Sequence, residues 1–461
     1  MRYTITFLDA DYDRLTEILF ADRSVECAAY LLCGVSVDAI ESKLLVREVI
    51  PVEPGDVLEA SPTHIKIASR SFLRALKRAD RQRCAFVFAH SHPFGYERHS
   101  RQDDIEEQKL FATAHVRVEK VNLHGSLVLS EPGKPVGRVW LPDGSERPVT
   151  RVRVLGERFK FYDDLKELPP TPEFFDRQVR AFGSDVQALL KQLTVGVVGA
   201  GGTGSAVAEQ LIRLGVGALV IADGQRFEKS NVNRVYGSRA ADEGGSKVSL
   251  LRRLAQDVGL GTKIVAVDRP VTYRSGLEPF KQCDVVFGCT DEEWGRSLLV
   301  RFALYYLTPV VDMGVRIDSE AGQINSVQGR VTTLLPGAAC LYCRQRITPR
   351  RVALESLQVI APDEADRLRK EGYAPELDNP APAVITFTTS VAAGAINELL
   401  HRLTGYMGAD RRSTEVLFYF DAGRVATNTR PPDDSCLCSN RKSWGRGDRS
   451  PLLDVTWRPE A

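Results

Sequence analysis

The chain has 461 residues, of which 43% are hydrophobic and 26% are charged, and its formal net charge at pH 7 is +1. This length favours two or three domains, and the composition is that of a globular protein. The near-neutral charge argues against a nucleic-acid partner, which requires a basic surface. No apolar run is long enough to span a membrane and the N-terminus lacks a signal-peptide pattern, so we expect a cytoplasmic protein without a membrane partner.

Residues 1–150 alternate short apolar runs with turns, which predicts a compact α+β domain whose sheet carries most of the core. The apolar runs predict strands at 28–33, 44–52, 84–89, 121–129 and 136–141, and helical spacing is found at 11–20 and 69–79. The charged segment that follows ends in Pro169, Pro170 and Pro172. Because prolines disfavour regular structure, we expect a linker over 151–172.

Residues 173–440 alternate strand and helix patterns, which predicts an α/β domain with a mostly parallel sheet covered on both faces. The predicted strands after residue 260 are 264–267, 285–289, 309–312, 323–327 and 416–421, with helices at 247–257, 296–307 and 384–403. The last of these helices is apolar with small residues, and we expect it to be buried in the core. Residues 441–461 are expected to form a tail, part of it mobile.

Two histidines stand at the end of the predicted strand 84–89, in the sequence CAFVFAHSHPFGYERHSRQDD. Alternate strand residues point the same way, so the imidazoles of His90 and His92 can face one point. Asp103 can complete a set of two histidines and one carboxylate, with a fourth position open for water, as in catalytic zinc sites. Glu26 is a candidate base for that water. The alternative is that the histidine pair is structural.

The HSHP motif at 90–93, followed by Ser100 and Asp103 and preceded by Glu26, resembles the signature of the JAMM (MPN-plus) metalloproteases. The resemblance covers nearly the whole N-terminal domain and implies cleavage of isopeptide or peptide bonds after the C-termini of ubiquitin-like proteins. It implies that Glu26 is the general base and acid and that Ser100 helps to hold the metal-bound water and the oxyanion. The zinc ligands that it implies are His90, His92 and Asp103.

A glycine loop follows a β-branched run within 193–234, and an apolar segment at helical spacing comes after it. The loop glycines are Gly199, Gly201, Gly202 and Gly204. A second apolar run ends in Asp223, which gives the order of a nucleotide-binding βαβ unit with an acid placed for a ribose hydroxyl. Dehydrogenases, methyltransferases and adenylating enzymes share this fingerprint, so by itself it leaves the nucleotide open.

Four polar residues beyond the loop narrow the choice of nucleotide: Asn231, Arg234, Lys247 and Asp291. Cations that offset the charge of a triphosphate, and an acid that holds magnesium, are what phosphate chemistry requires. A nicotinamide enzyme has no need of them. We therefore expect ATP and magnesium as cofactors.

This spacing resembles the adenylation domain of the ubiquitin-activating superfamily, closest to its bacterial MoeB/ThiF branch, over nearly all of 172–440. The resemblance implies that Asp223 binds the ribose and that Asp291 positions magnesium and the adenylated carboxyl. The phosphates would be held by Asn231, Arg234 and Lys247. Arg177, in the sequence DRQVRAFG, matches an arginine that acts from the partner subunit, which implies a homodimer. Arg296 either adds charge near this site or is a solvated helix residue.

The pair Cys340 and Cys343 matches the first half of the structural zinc site of that branch, whereas Cys436 and Cys438 form a second half that is one residue shorter. Zinc and unpaired thiols both remain open at this point. No cysteine lies between Cys343 and Cys436, where thioester-forming relatives carry their nucleophile. Cys289, near Asp291, is a remote candidate for that role and is better explained as a core residue.

These features together predict a bifunctional enzyme that acts on a ubiquitin-like or sulfur-carrier protein. The N-terminal domain would trim or deconjugate its C-terminus, and the second domain would adenylate the exposed glycine carboxylate for a conjugating enzyme or sulfurtransferase. Such fusions resemble bacterial pathways linked to phage defence and to sulfur transfer. The alternatives are an enzyme that adenylates a peptide or metabolite, a JAMM scaffold without catalysis, and a nicotinamide oxidoreductase.

Overall fold

The computed structural model describes residues 1–130, 134–163, 171–371, 382–408, 411, 413–455 and 457. The chain forms two compact units. Unit 1 comprises Met1–Glu167, Tyr305–Leu307 and Lys442–Arg449, and unit 2 comprises Leu168–Leu304, Thr308–Arg441 and Ser450–Ala461. Among the helices in these ranges, none combines the length and the apolar character that a membrane crossing requires.

The first part of the chain contains eleven strands and three helices over its described residues. The strands are β1 (Arg2–Leu8), β2 (Ala28–Val37), β3 (Glu41–Pro51), β4 (Val57–Ser61), β5 (His64–Ile67), β6 (Ala85–His92), β7 (His124–Ser130), β8 (Val136–Trp140), β9 (Glu146–Pro148), β10 (Arg151–Leu155) and β11 (Phe159–Asp163). The helices are α1 (Asp9–Leu19), α2 (Ser69–Gln82) and α3 (Arg101–Arg117). Nine strands form one mixed sheet in the order β11-β10-β1-β3-β2-β6-β7-β8-β9, and β4 pairs with β5 separately.

The centre of this sheet positions the histidines. Strands β2 and β6 are antiparallel, with Ala28 opposite His90, so Glu26, just before β2, comes level with the end of β6. Both strands are buried along most of their length, and Tyr30 of β2 packs against Phe86 of β6 with ring centroids 5.6 Å apart. Because a one-residue slip would exchange the side chains between the two covered faces of the sheet and disrupt their packing, this packing fixes the register that brings Glu26 to the histidines.

The expected linker at 151–172 is wrong for its first part, because residues 151–163 form β10 and β11 of the sheet. The charged segment that ends at the prolines made this region resemble a linker, but the arginines of β10 are buried in ion pairs. Arg153 donates to the Oε1 of Glu41 at 2.8 Å and to the Oγ1 of Thr4 at 2.8 Å. The prolines at 169 and 170 lie outside the described residues.

The expected tail at 441–461 is also wrong in part, because Lys442–Arg449 packs within unit 1. Gly447 forms a parallel bridge with Val35 of β2, and the backbone N–H of Val37 donates to the Oδ2 of Asp448 at 2.7 Å. A Cβ on Gly447 would stand 2.1 Å from the carbonyl oxygen of Val35, so only glycine permits this approach. The polar and glycine-rich composition of this segment therefore reflects a close backbone contact.

The second part of the chain contains nine helices and eight strands over its described residues. The helices are α4 (Asp176–Phe182), α5 (Ser184–Gln192), α6 (Gly202–Arg213), α7 (Lys247–Val258), α8 (Arg274–Leu277), α9 (Glu293–Tyr306), α10 (Pro349–Ile360), α11 (Pro362–Lys370) and α12 (Ile385–Thr404). The strands are β12 (Thr194–Val198), β13 (Ala218–Ala222), β14 (Lys263–Val267), β15 (Val285–Gly288), β16 (Val310–Glu320), β17 (Gln323–Leu334), β18 (Glu415–Tyr419) and β19 (Arg424–Asn428).

These eight strands form one sheet in the order β14-β13-β12-β15-β16-β17-β18-β19. The first five are parallel, as expected, whereas β17, β18 and β19 extend the sheet with antiparallel pairs. The expectation of a mostly parallel sheet therefore holds for five of its eight strands. The short strands predicted at 309–312 and 323–327 belong to a long hairpin of β16 and β17, whose polar outer part lacks an apolar strand pattern.

The parallel half has a topological switch at β12. From β12 the chain moves to β13 and β14 on one side and then returns to β15 and β16 on the other. Ligands of open α/β sheets bind at such a switch, in the crevice outside the carboxyl ends of the strands. The glycine loop after β12 and the loop after β15 both lie at this edge.

Candidate nucleotide and metal sites

The glycine loop makes a tight turn between β12 and α6. Gly199 has a φ of +93°, and a Cβ there would lie 2.9 Å from the carbonyl oxygen of Cys289 in the loop after β15. A Cβ on Gly204 would lie 1.8 Å from the carbonyl oxygen of Gly199, so the loop packs directly on the first turn of α6. A Cβ on Gly201, the N-cap of α6, would meet nothing within 4 Å. The open N-terminus of α6 is therefore suited to bind an anion.

Asp223 follows β13 and braces the glycine loop from the neighbouring strand. Its Oδ2 accepts from the backbone N–H of Ala200 at 2.7 Å, and its Oδ1 accepts from that of Gln225 at 2.8 Å. Gln225 in turn accepts a hydrogen bond from the Nζ of Lys247 at 2.8 Å. Sequence reasoning missed Gln225, because a single glutamine two residues after the acid belongs to no pattern.

The remaining predicted phosphate-binding residues surround the start of α6 and α7. Lys247 is the first residue of α7 and is buried. Arg234 lies against Gly202, where a Cβ would be 3.3 Å from its Cγ, and its guanidinium donates to the carbonyl oxygen of Ser230. Asn231 is buried, and its Oδ1 accepts from the backbone N–H of Glu228 at 3.2 Å. The structure thus brings Arg234 to the glycine loop and links Lys247 to it through Gln225.

Asp291 is exposed in the loop between β15 and α9. The start of this loop packs on the glycine turn, since the backbone N–H of Cys289 donates to the carbonyl oxygen of Val198 at 2.8 Å. Arg296 is not a solvated residue, because it pairs with the buried Asp312 at 3.5 Å. Burial, reinforced by Asp312, raises the pKa of Cys289, so its thiol is protonated at neutral pH and is a poor nucleophile.

Arg177 lies on α4, where its side chain is exposed. It lines an open surface depression together with Glu173, Phe174 and Arg180, and the glycine loop contributes no residue to this depression. The position agrees with an arginine that reaches out of its own subunit. The homodimer stays a prediction.

The four cysteines of unit 2 come together in one cluster. The Sγ of Cys340 lies 3.9 Å from that of Cys343 and 3.5 Å from that of Cys436, and the Sγ atoms of Cys343 and Cys438 are 3.5 Å apart. Zinc with four thiolates at about 2.3 Å places neighbouring sulfurs about 3.8 Å apart. The cluster therefore fits structural zinc, and the shorter second half does not prevent it from closing.

The two histidines of β6 and the aspartate of α3 form a second cluster. The Nε2 atoms of His90 and His92 are 3.2 Å apart, and the carboxylate of Asp103 lies 3.3 Å from the first and 3.6 Å from the second. Tetrahedral zinc with ligands at about 2.0–2.1 Å requires separations of about 3.4 Å. The Nδ1 of His92 donates to the carbonyl oxygen of Tyr96 at 2.8 Å, which leaves its Nε2 for a metal. The donor set fits zinc.

Glu26 and Ser100 lie beside this cluster. The Oε1 of Glu26 is 3.8 Å from the Nε2 of His92, and burial raises the pKa of this carboxyl although the histidines oppose the shift. Ser100 is the N-cap of α3: its Oγ accepts from the backbone N–H of Asp103 at 3.2 Å, and its own N–H donates to the Oδ2 of Asp103 at 2.5 Å. This capping box orients the predicted ligand Asp103, a role that the sequence did not suggest.

A buried polar network lies behind the cluster. His99 contacts the Oγ of Ser126 at 3.1 Å, and both Ser126 and Arg138 donate to the Oε2 of Glu107, at 2.6 Å and 2.8 Å. The ring of His99 is 6.5 Å from that of His90, and burial together with Arg138 lowers the pKa of His99. His99 is therefore a neutral neighbour of the cluster, and its hydrogen bonds could not be read from the sequence.

Comparison with known proteins gives matches in the second part of the chain. The ThiF family model matches residues 175–440. The chain is 29% identical over 166 residues to the adenylyltransferase and sulfurtransferase UBA4 of Meyerozyma guilliermondii, covering 36% of this chain and 38% of that protein. It is 28% identical over 269 residues to the ubiquitin-like modifier-activating enzyme 5 of Dictyostelium discoideum, covering 55% of this chain and 64% of that protein.

A third relative is the tRNA threonylcarbamoyladenosine dehydratase of Bacillus subtilis, 34% identical over 207 residues, with 44% of this chain and 80% of that protein covered. The chain thus spans 38% and 64% of the lengths of the first two relatives, less than two thirds of either. Among solved structures, E. coli MccB with ATP has a TM-score of 0.46 and 14% identity, over 59% of this chain and 75% of that chain. Because the family model matches more than half of its residues, the chain belongs to the ThiF family.

Proposed function

We propose that unit 2 adenylates the C-terminal carboxylate of a ubiquitin-like or sulfur-carrier protein, and that unit 1 hydrolyses the bond that follows that C-terminus. The observation that carries the first part is the position of Asp291, an exposed acid in the loop that packs on the glycine turn at the switch point of the sheet. Membership of the ThiF family supports this part. The relatives named as adenylyltransferases and as activating enzymes of ubiquitin-like modifiers support the choice of substrate.

In the adenylation step, a carboxylate oxygen of the substrate attacks the α-phosphorus of ATP, and the bond to pyrophosphate breaks. The N-terminus of α6, Arg234 and Lys247 would hold the phosphates, and Asp223 would hold the ribose. Magnesium, when bound, would offset phosphate charge, and Asp291 would hold it. The product is a mixed anhydride of the substrate with AMP.

The acceptor of the activated acyl group would lie on another protein. The sequence has no cysteine between Cys343 and Cys436. The raised pKa of Cys289 argues against that thiol as a substitute. A thiol of a sulfurtransferase or a conjugating enzyme can supply the nucleophile, and the relative named both adenylyltransferase and sulfurtransferase supports the former.

The peptidase part rests on the geometry of His90, His92, Asp103 and Glu26 and on their resemblance to the JAMM signature. The two histidines and the aspartate would hold zinc, which lowers the pKa of a bound water when present. Glu26, buried beside His92, would take the proton of that water and pass it to the leaving amine. Hydrolysis then leaves a free carboxylate, the group that adenylation requires.

The test of the adenylation part is ATP–pyrophosphate exchange with a small protein that ends in Gly-Gly. We expect exchange to require this protein and to be abolished by Asp291→Ala, while the control Asp257→Ala, an exposed aspartate on α7, keeps it. If a short peptide supports exchange as well as the protein does, the result would favour an enzyme that adenylates peptides. Binding of NADH without binding of ATP would contradict the proposal.

The test of the peptidase part is cleavage of a C-terminally extended form of the same small protein. We expect Glu26→Gln to keep the bound zinc and lose cleavage, whereas the control Glu17→Gln, at an exposed position on α1, keeps both. Cleavage that persists in Glu26→Gln would remove Glu26 from the mechanism. A metal content of one zinc per chain, held by the cysteine cluster, would favour a scaffold without catalysis.

A further inference from the structure

Lys247 is a buried cation that lacks an ion-pair partner. The residue is 6% exposed, and within the described part of the chain its Nζ forms no ion pair. The acceptor of its hydrogen bond there is the Oε1 of Gln225 at 2.8 Å, which belongs to a neutral amide. Charged side chains are almost never fully buried unless they are paired. The structure thus leaves the charge of Lys247 available for a ligand.

The place of Lys247 in α7 adds to this excess of positive charge. Lys247 is the first residue of the helix, at the end where the backbone N–H groups already carry a partial positive charge. Ser246 caps the helix, and its Oγ accepts from the backbone N–H of Ser249 at 3.2 Å. A lysine is unfavourable at this end of a helix, whereas an anion is favourable. The ammonium group and the helix N-terminus therefore favour the same kind of ligand, an anion.

The backbone holds Gln225 beside Lys247. The N–H of Gln225 donates to the Oδ1 of Asp223 at 2.8 Å. The next residue, Arg226, forms an antiparallel bridge with Ser246, which directly precedes Lys247. Unlike the lysine, Gln225 is exposed. Its main chain is therefore fixed next to the start of α7, while its side chain can turn away from the ammonium group without disturbing the packing of the core.

We propose that Gln225 is a positioning residue whose neutral amide oxygen occupies, on Lys247, the place that a phosphate oxygen of ATP takes. The hydrogen bond holds the ammonium group at the segment that Asp223 ties to the glycine loop. A phosphate oxygen replaces the amide oxygen readily, because hydrogen bonds between two charged groups are the stronger ones. A carboxylate in place of the amide would pair with Lys247 and compete with the phosphates. This inference rests on the proposed role of Lys247 in holding ATP.

The binding test compares Gln225→Glu with Gln225→Met. Glutamate keeps the shape of glutamine and adds one negative charge, whereas methionine replaces the amide by a much weaker acceptor. We expect the affinity for magnesium-ATP, measured by titration calorimetry, to fall about 10-fold in Gln225→Glu, because the phosphates must first break an ion pair. In Gln225→Met it should fall less than about 3-fold, because the ammonium group stays unpaired. Adenosine, which has no phosphate, should bind Gln225→Glu as it binds the wild type.

A stability test needs neither ligand nor activity. Gln225→Glu gives the buried ammonium group a counter-charge near the N-terminus of α7, so we expect its melting temperature to rise by about 2–4 °C while its affinity for magnesium-ATP falls. Gln225→Met deprives the ammonium group of its acceptor, and its melting temperature should fall by about 2–4 °C. Gln256→Glu is the matched control, because Gln256 is exposed on the same helix and the added charge is the same. It should leave the melting temperature and the affinity close to the wild-type values.

The results distinguish this inference from the proposed function. An affinity for magnesium-ATP that is unchanged in Gln225→Glu would overturn the role of Gln225, while exchange with the Gly-Gly protein would still support adenylation. An equal loss of adenosine binding would overturn that role too, because the effect would not depend on the phosphates, and so would a lower melting temperature of Gln225→Glu. If the variants behave as expected but the Gly-Gly protein supports no exchange, the role of Gln225 stands and the proposed adenylation of such a protein fails. A wild type that binds no magnesium-ATP would overturn both.

Discussion

The packing of the glycine loop predicts that Gly204→Ala destabilises unit 2. The added Cβ would lie 1.8 Å from the carbonyl oxygen of Gly199, whereas real Cβ atoms essentially never come within 3.0 Å of a neighbour. The loop must therefore retreat by more than about 1 Å, and overpacking of this kind costs about 1–3 kcal/mol. Because the obstacle is backbone, we take the upper end of this range and subtract about 1 kcal/mol for the helix preference of alanine. The net loss is about 2 kcal/mol, equivalent to a fall in melting temperature of about 4–8 °C.

Gly201→Ala is the matched control, because the same methyl group there meets nothing within 4 Å. We expect its melting temperature to stay within about 2 °C of the wild type. The methyl group nevertheless stands at the N-terminus of α6, where the phosphates of ATP would approach the backbone. We therefore expect the affinity for magnesium-ATP to fall about 10-fold or more.

Calorimetry measures both quantities on the same samples, as the melting temperature of each variant and the heat of its titration with magnesium-ATP. A Gly204→Ala variant as stable as the wild type would refute the packing argument. An equal destabilisation by Gly201→Ala would refute it as well, because the two sites would then be equally crowded. ATP affinity unchanged in Gly201→Ala would show that the phosphates bind elsewhere.

Three further outcomes are expected. Cys438→Ser should lower the zinc content, measured by plasma mass spectrometry, by one ion per chain; an unchanged content would exclude the cysteine cluster as a zinc site. Mixed subunits of Arg177→Ala and Asp291→Ala should recover part of the exchange activity that each lacks alone, and no recovery would count against action across a dimer. Glu415→Ala should cost about 3–5 kcal/mol in denaturant unfolding, because the buried Arg344 loses the carboxylate with which it pairs. Burial by itself would raise the pKa of Glu415, but the arginines that pair with it lower this pKa below the ordinary value of 4.5. The stability that the Glu415 carboxylate contributes is therefore fully present above about pH 4.5, and it is lost as the pH falls through the pKa of Glu415 in the folded protein.

The sequence located the helices and strands of the core well, because their patterns are local. The helix predicted at 69–79 is α2 (Ser69–Gln82), and the helix predicted at 384–403 is α12 (Ile385–Thr404). The strand period also predicted that His90 and His92 face one point, and their Nε2 atoms are 3.2 Å apart. Such predictions succeed because a spacing of four or fewer residues determines which side chains share a face of a helix or strand.

The failures lie where partners from distant parts of the chain decide the structure. Strand β10 was predicted as part of a linker, because the burial of its Arg153 depends on Glu41, more than a hundred residues earlier. The antiparallel half of the second sheet depends on the pairing of β17 with β18, which brings Thr332 opposite Glu415. Such long-range pairings cannot be deduced from a single sequence, so these segments could be interpreted only from their composition.

In the candidate site, too, local patterns were predicted correctly and long-range contacts were not. The spacing from Asp223 to Asp291 indicated the residue types that phosphate chemistry needs, but it did not indicate what holds them in place. Gln225 connects Asp223 to Lys247, and Glu355 caps α9 beside Asp291. Neither residue is rare or patterned in the sequence. Residues that position others are recognised by their hydrogen bonds, and these are known only once the chain is folded.

The two proposed reactions impose an order on each other through the chemistry of the substrate. The carbonyl of a C-terminal extension or conjugate is an amide, and it offers no carboxylate oxygen to attack the α-phosphorus of ATP. Hydrolysis in unit 1 would create that oxygen, and an acyl adenylate formed in unit 2 would no longer contain the bond that unit 1 is proposed to cleave. An extended substrate must therefore be cut before it is activated. A conjugate that is cut can be activated again, so the peptidase would supply the adenylation reaction both with new substrate and with recovered substrate.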